Sequence, residues 1–171
     1  WATNGIGDVA TGPVLQLDGL CGGLVTDLDL SRSGMTPQGA GLLVQPNNMV
    51  TVQKVFTQNR ATAMQFSGDR RSDFTITCNV LELNTLGLDF IGSAPGALTL
   101  EDNYLKQNTT ALKTLYSLTA ENNFWGAADG PDDLGGTGNG YTGTVDAAPF
   151  LAFAPPCVCP ITAPITFNVA T

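Results

Sequence analysis

Five short apolar–polar–apolar pieces recur between Pro13 and Trp125 at a spacing of about two dozen residues. They are Val14-Leu15-Gln16-Leu17, Leu42-Leu43-Val44, Ala63-Met64-Gln65-Phe66, Gly87-Leu88-Asp89-Phe90 and Ala111-Leu112-Lys113-Thr114. The leading apolar residue returns at Leu15, Leu42, Met64, Leu88 and Leu112, in steps of 27, 22, 24 and 24. A second apolar position returns as Leu17, Val44, Phe66 and Phe90 and fails at Thr114. A fixed period of this length marks a solenoid, whose repeats bury their apolar faces only by stacking on one another.

Within each piece the recurring apolar residues alternate with Gln16, Leu43, Gln65, Asp89 and Lys113, a strand period of two. The second half of each repeat alternates as well, at Val50-Thr51-Val52, Phe74-Thr75-Ile76 and Leu98-Thr99-Leu100. Gly, Thr and Asn interrupt every candidate helix. The expected fold is all-β: a right-handed parallel β-helix of about five coils, with a C-terminal lid loop and a detached tail strand. Right-handedness follows from the rule for parallel crossovers. Coils about 4.8 Å apart make a core roughly 24 Å long. The division is a lead-in at 1–12, coils at 13–125, a closing loop at 126–154 and a linker with tail strand at 155–171.

The corners are read from Asn. Asn79 and Asn84 lie five apart, as do Asn103 and Asn108, and Lys54 and Asn59. Asn tolerates left-handed backbone and bonds its own main chain. Equivalent amides on successive coils also pass hydrogen bonds along a stack. The expected ladder set is Asn59, Asn79, Asn84, Asn103 and Asn108; ordinary Asn-rich turns are the alternative. Phe56, Leu81 and Leu105 are expected to return to the interior after each corner. The sequon Asn108-Thr109-Thr110 then falls on an accessible corner.

The segment Asn122-Asn123-Phe124-Trp125-Gly126-Ala127-Ala128-Asp129-Gly130-Pro131, followed by Gly143-Thr144-Val145-Asp146-Ala147-Ala148-Pro149-Phe150-Leu151, has a distinct character. It resembles the closing coil of secreted right-handed β-helix proteins, the pectate-lyase-like proteins and large bacterial surface proteins. The resemblance spans residues 13 to 152 and implies fold rather than activity. Physically the segment reads as a lid, with Phe124 and Trp125 over the last coil and Gly126, Gly130 and Pro131 turning the chain outward. Gly135-Gly136-Thr137-Gly138-Asn139-Gly140 reads as an exposed loop. A phosphate cradle is disfavoured there, because no helix follows and no Lys is present.

Fifteen acidic against seven basic residues give a net charge of −8 with no His. That argues against nucleic acid and anionic membrane surfaces as partners, since both call for clustered Lys and Arg. The apolar runs are too short to span a bilayer. No signal peptide is visible at Trp1, so the chain reads as a mature form or a piece of something longer. Cys21 and Cys78, two coils apart at about 10 Å, exceed disulfide reach and read as buried small apolar residues. Cys157 and Cys159 are the disulfide candidates, paired with each other or with a partner chain, with soft metal the lesser alternative. The tail strand places Ile165, Phe167 and Val169 on one face and must pair, either with its own rod or with a neighbouring subunit.

Catalysis is searched for on the same residues. Relatives in the resembled family use calcium-bound acids with an Arg base, or paired Asp with a His. Here the paired acids are Asp27 with Asp29, Glu101 with Asp102, and Asp132 with Asp133; Asp89 beside Glu101 or Asp102 is a further pairing. Asp69-Arg70-Arg71-Ser72-Asp73 reads as a solvated corner loop, with a lyase-type Arg base as its alternative. Asp129, Asp132 and Asp133 are weak calcium candidates without an EF-hand pattern; no other cofactor is expected. The expectation is a non-catalytic structural or adhesive module of an extracellular surface protein or self-assembling fibre, with a glycan surface as candidate ligand. The alternative is a lyase or hydrolase fragment acting on acidic glycans.

Overall fold

The computed structural model describes residues 12–19, 22–33, 36–45 and 48–158. Cys21, Cys159 and the tail positions Ile165, Phe167 and Val169 lie outside them. Fourteen strands follow one another: β1 (Pro13–Asp18), β2 (Gly23–Asp29), β3 (Ala40–Gln45), β4 (Met49–Gln58), β5 (Thr62–Gly68), β6 (Asp73–Thr77) and β7 (Val80–Glu82). Then come β8 (Leu86–Gly92), β9 (Ala97–Glu101), β10 (Tyr104–Lys106), β11 (Thr110–Thr114), β12 (Leu118–Thr119), β13 (Tyr141–Thr142) and β14 (Val145–Asp146). A single 3-10 turn, Asp132–Leu134, is the one helical element among the described residues.

The strands stack as a parallel β-solenoid of about five turns. One sheet runs in the order β1-β3-β5-β8-β11-β13. A second face carries β2, the first half of β4, β6 and β9; a third carries the second half of β4, β7 and β10. The register is the one the repeat predicts. Leu15 faces Leu42, Leu42 faces Met64, Met64 faces Leu88 and Leu88 faces Leu112. On the second face Val50 stands opposite Phe74, and Phe74 opposite Leu98. Such stacking seals the interior: Leu42, Val44, Met64, Phe66, Leu88, Phe90 and Leu112 are fully buried, and Leu15 and Leu17 pack against them at the first coil.

Aromatic rings continue the interior column. Phe66 stacks on Phe90 at 5.4 Å and meets Phe74 edge-on at 5.2 Å, a geometry that adds to plain area burial. Thr114 breaks the apolar pattern for a local reason. Its hydroxyl donates to the Tyr116 carbonyl and accepts the Tyr116 N–H, so a buried polar group is satisfied while it ends the strand. Small residues Gly41, Ala63, Gly87 and Ala111 form one row where coils approach closely. A Cβ on Gly41 would stand 2.6 Å from the Ala63 carbonyl oxygen.

The closing segment is more than a loop. β13 adds a further rung to the first sheet through Tyr141 opposite Leu112, and β14 adds one beside β12 through Val145 opposite Leu118. Trp125 is fully buried in the same core cluster as Leu105 and Leu112, with the Tyr141 ring 5.7 Å away. The linker that follows does not stand apart from the coils: Cys157 is bonded to Cys78 of the third coil.

Candidate functional site

The most organised polar constellation lies at two corners of the solenoid and points inward. At the first, each Asn accepts the backbone N–H of its counterpart one coil earlier. Asn79 Oδ1 takes the Val55 N–H at 3.0 Å, Asn103 Oδ1 the Asn79 N–H at 3.1 Å, and Asn123 Oδ1 the Asn103 N–H at 3.0 Å. Each Nδ2 donates to a carbonyl of the preceding coil: Val52 from Asn79, Ile76 from Asn103 and Leu100 from Asn123. Nδ2 of Asn79 also donates to Asn103 Oδ1, and that of Asn103 to Asn123 Oδ1. All three side chains are fully buried.

The second corner repeats this arrangement. Asn84 Oδ1 accepts the Arg60 N–H, Asn108 Oδ1 the Asn84 N–H, and Asn139 Oδ1 the Asn108 N–H. Nδ2 of Asn84 reaches the Thr57 carbonyl and that of Asn108 the Leu81 carbonyl. Asn123 and Asn139 were not among the expected ladder residues. They follow their predecessors by 20 and 31 residues rather than 24, so the period does not reveal them.

Asn59 is not a rung. It sits one residue ahead of the ladder in left-handed backbone at φ 58°, where its counterparts are Leu83 and Gln107, and its amide donates to the Arg32 carbonyl. Lys54 likewise aligns with Cys78, Asp102 and Asn122, all left-handed. Shifting the second coil by one residue also corrects Phe56, which stands opposite Val80 and is half-buried; Thr57 fills the interior place opposite Leu81. The rung of the second corner belongs to Arg60, 1 % exposed, whose Nε donates to the Leu30 carbonyl at 2.7 Å and whose Nη2 donates to that of Ser31 at 3.1 Å. The sequon meets the same geometry. Asn108 is 4 % exposed with its amide engaged on both sides, so it is not the accessible acceptor expected of that corner.

Cys78 is not an unpaired apolar residue. It forms a disulfide with Cys157, Cα to Cα 5.5 Å, across 79 residues of chain. The expected partners of Cys157 were Cys159 or another chain. The outcome differs because the segment after Leu151 turns back along the outside of the coils.

The acidic candidates are dispersed. Asp89 lies on β8 and accepts Gln65 Nε2 at 2.9 Å, whereas Glu101 lies on β9 in the second sheet, so the two belong to different faces. Asp102 occupies a left-handed corner, and its carbonyl accepts the Cys78 N–H. Asp29 accepts the Ser31 N–H, and Asp27 takes the Thr26 hydroxyl. Asp69 closes its own turn by accepting the Arg71 N–H, beside exposed Arg70 and Arg71. Asp129 accepts the backbone N–H and hydroxyl of Thr137, bonds that hold its carboxyl below the usual range. Asp133 accepts the Tyr141 N–H at 2.6 Å; burial, then the charges of Asp133 and Asp146, push the Tyr141 phenol up. Among the described residues no group of three or more Asp, Glu, His or Cys is placed to hold a metal ion.

No family profile, curated protein or solved structure matches the chain.

Proposed function

We propose that the chain is a non-catalytic structural or adhesive module of an extracellular surface protein, akin to the secreted pectate-lyase-like β-helix proteins that its closing motif resembles. The observation that carries this reading is the investment of amides in the frame. Asn79, Asn103, Asn123, Asn84 and Asn108 spend their hydrogen-bonding capacity on neighbouring coils, and a half-satisfied network there would weaken the core. Side chains committed in this way brace each coil against the next. The outer faces remain for contact with surfaces; the second sheet aligns Thr51, Thr75 and Thr99 in one uncharged row. The Cys78–Cys157 disulfide supports an oxidising compartment.

Self-association belongs to this proposal. We propose that the C-terminal residues Ile165, Phe167 and Val169, which lie outside the described residues, mediate it by β-augmentation of a neighbouring subunit. Deleting residues 161–171 should leave a folded monomer that no longer assembles. The test of the whole reading has two arms. Purified chain should give no unsaturated product or reducing sugar from pectin-like polymers with or without calcium, and electron microscopy should show rods or filaments. Turnover of such a polymer would replace the structural role with the lyase or hydrolase one.

A further inference from the structure

The segment after the last rung descends the outside of the solenoid as a strap. The Pro149 carbonyl accepts the Asn122 N–H, and Leu151 donates its N–H to the Asn123 carbonyl, both at the fifth coil. Six residues on, Cys157 Sγ lies 3.8 Å from the Asp102 carbonyl of the fourth coil and is bonded to Cys78 of the third. Its fastening is uneven. Ala152, Phe153, Ala154 and Pro156 are exposed, Phe153 by 80 %, and within 152–158 only Pro155 and Val158 are buried. The Val158 N–H bonds the Pro155 carbonyl, a bond internal to the strap. Under its lower end is a cavity of about 320 Å³, lined by Val55, Phe56 and Val80, by Cys78, Cys157 and Val158, and at its rim by the exposed side chains of Asp27 and Lys54.

The coils are held differently. Their parallel strands and corner ladders use backbone groups and Asn side chains that residues 152–158 do not supply. Two structures with separate means of support open separately, and the less supported one opens first. We propose that the Cys78–Cys157 bond is a redox-operated latch: reduction releases residues 152–158 and uncovers the apolar side chains of Phe56 and Val80, flanked by Asp27 and Lys54, while the coils stay folded. Both cysteines are half-buried rather than sealed, so a small dithiol can reach them. One thiolate of the dithiol attacks a cysteine sulfur, the S–S bond breaks and the other cysteine leaves as thiolate. The second thiol of the reductant then displaces the first cysteine. Two electrons and two protons pass to Cys78 and Cys157, and the reductant ends as a cyclic disulfide. Freed of its covalent tie, a segment with two buried side chains gains more from chain entropy than it loses in contact.

This inference is independent of the proposed function. It is tested on the full chain carrying Cys21→Ser and Cys159→Ser, so that only Cys78 and Cys157 respond. Hydrogen exchange read by mass spectrometry, with and without dithiothreitol, should show amides within 152–158 exchanging at least tenfold faster after reduction. Fluorescence of an added hydrophobic dye should rise severalfold, while peptides containing Asn79 and Asn103 keep their protection. Cys157→Ser in the same Cys21→Ser, Cys159→Ser background should match the reduced protein and ignore dithiothreitol. Unchanged strap exchange after reduction overturns the latch. So does simultaneous loss of protection in strap and coils, which makes the bond a staple of the whole fold.

Discussion

At both corners of the third and fourth coils an Asn amide faces inward, accepts one backbone N–H and donates to a carbonyl below. The equivalent places in the second coil hold Val55 and Arg60. Val55 contributes only its N–H upward. Arg60 contributes its N–H upward and uses its guanidinium downward, where it reaches the Leu30 and Ser31 carbonyls near the end of the first coil. The difference teaches what the ladder requires. Within regular coils an amide of fixed reach spans one strand spacing. Where the connection between coils lengthens, at the 27-residue step from Leu15 to Leu42, a longer donor takes over. The lower coils thus rest on one buried cation, and the upper coils on a repeated neutral amide.

Changes to the shared interior should have the largest effect and ignore the difference between the halves. Phe90→Asp removes the ring stacked on Phe66 and buries an unpaired charge, so no cooperatively folded protein should form in a thermal melt. Next, Asn103→Ala leaves the Asn79 N–H and the Ile76 carbonyl without partners, which should cost about 3–5 kcal/mol by denaturant titration. Asn59→Ala, off the ladder, should cost only about 1 kcal/mol for its bond to Arg32. Equal losses from the two would erase the distinction between rung and corner. Arg60→Met should cost about 2 kcal/mol and loosen residues 30–33 in hydrogen exchange more than the upper coils.

Two smaller effects sharpen the comparison. Leu83 is a bulky side chain in left-handed backbone, 40 % exposed, and Leu83→Asn should stabilise by about 1 kcal/mol because Asn adopts that conformation more readily. Alkali tests the upper coils alone. Burial pushes the Tyr116 phenol, beside Phe90, up to about 12. A folded-state pKa above the unfolded value of about 10 stabilises fully below pH 10 and is lost as pH rises toward 12. Tyrosinate absorbance should show the Tyr116 phenol titrating late, with Tyr141 also displaced upward, and stability should decline across the Tyr116 window.

The strand register was legible because side chains with a period of two, repeated every 24 residues, leave few alternatives: Met64, Leu88 and Leu112 fall in line without help. The second coil misled at the corners for a physical reason. Asn suits the left-handed residue and the rung equally well, so Lys54 and Asn59, five apart, imitate a pair of rungs that in fact fall on Val55 and Arg60. Asn123 and Asn139 were hidden where closing turns change the spacing. The Cys78–Cys157 bond was hidden because it joins a coil to a segment whose return path leaves no periodic trace. Of the acids, local pattern suggested pairs, but Asp89 and Glu101 are separated by the turn between two sheets.

The central claim, that inward Asn amides lock one coil to the next, is tested most directly by the Asn79 and Asn84 backbone N–H groups. Both should exchange only with global unfolding in the native chain. In Asn103→Ala the Asn79 N–H should exchange at least a hundredfold faster than the Asn84 N–H, which Asn108 still holds at the other corner and which quickens only by the loss of overall stability. An Asn79 N–H that keeps the protection of the Asn84 N–H in that variant would contradict the account.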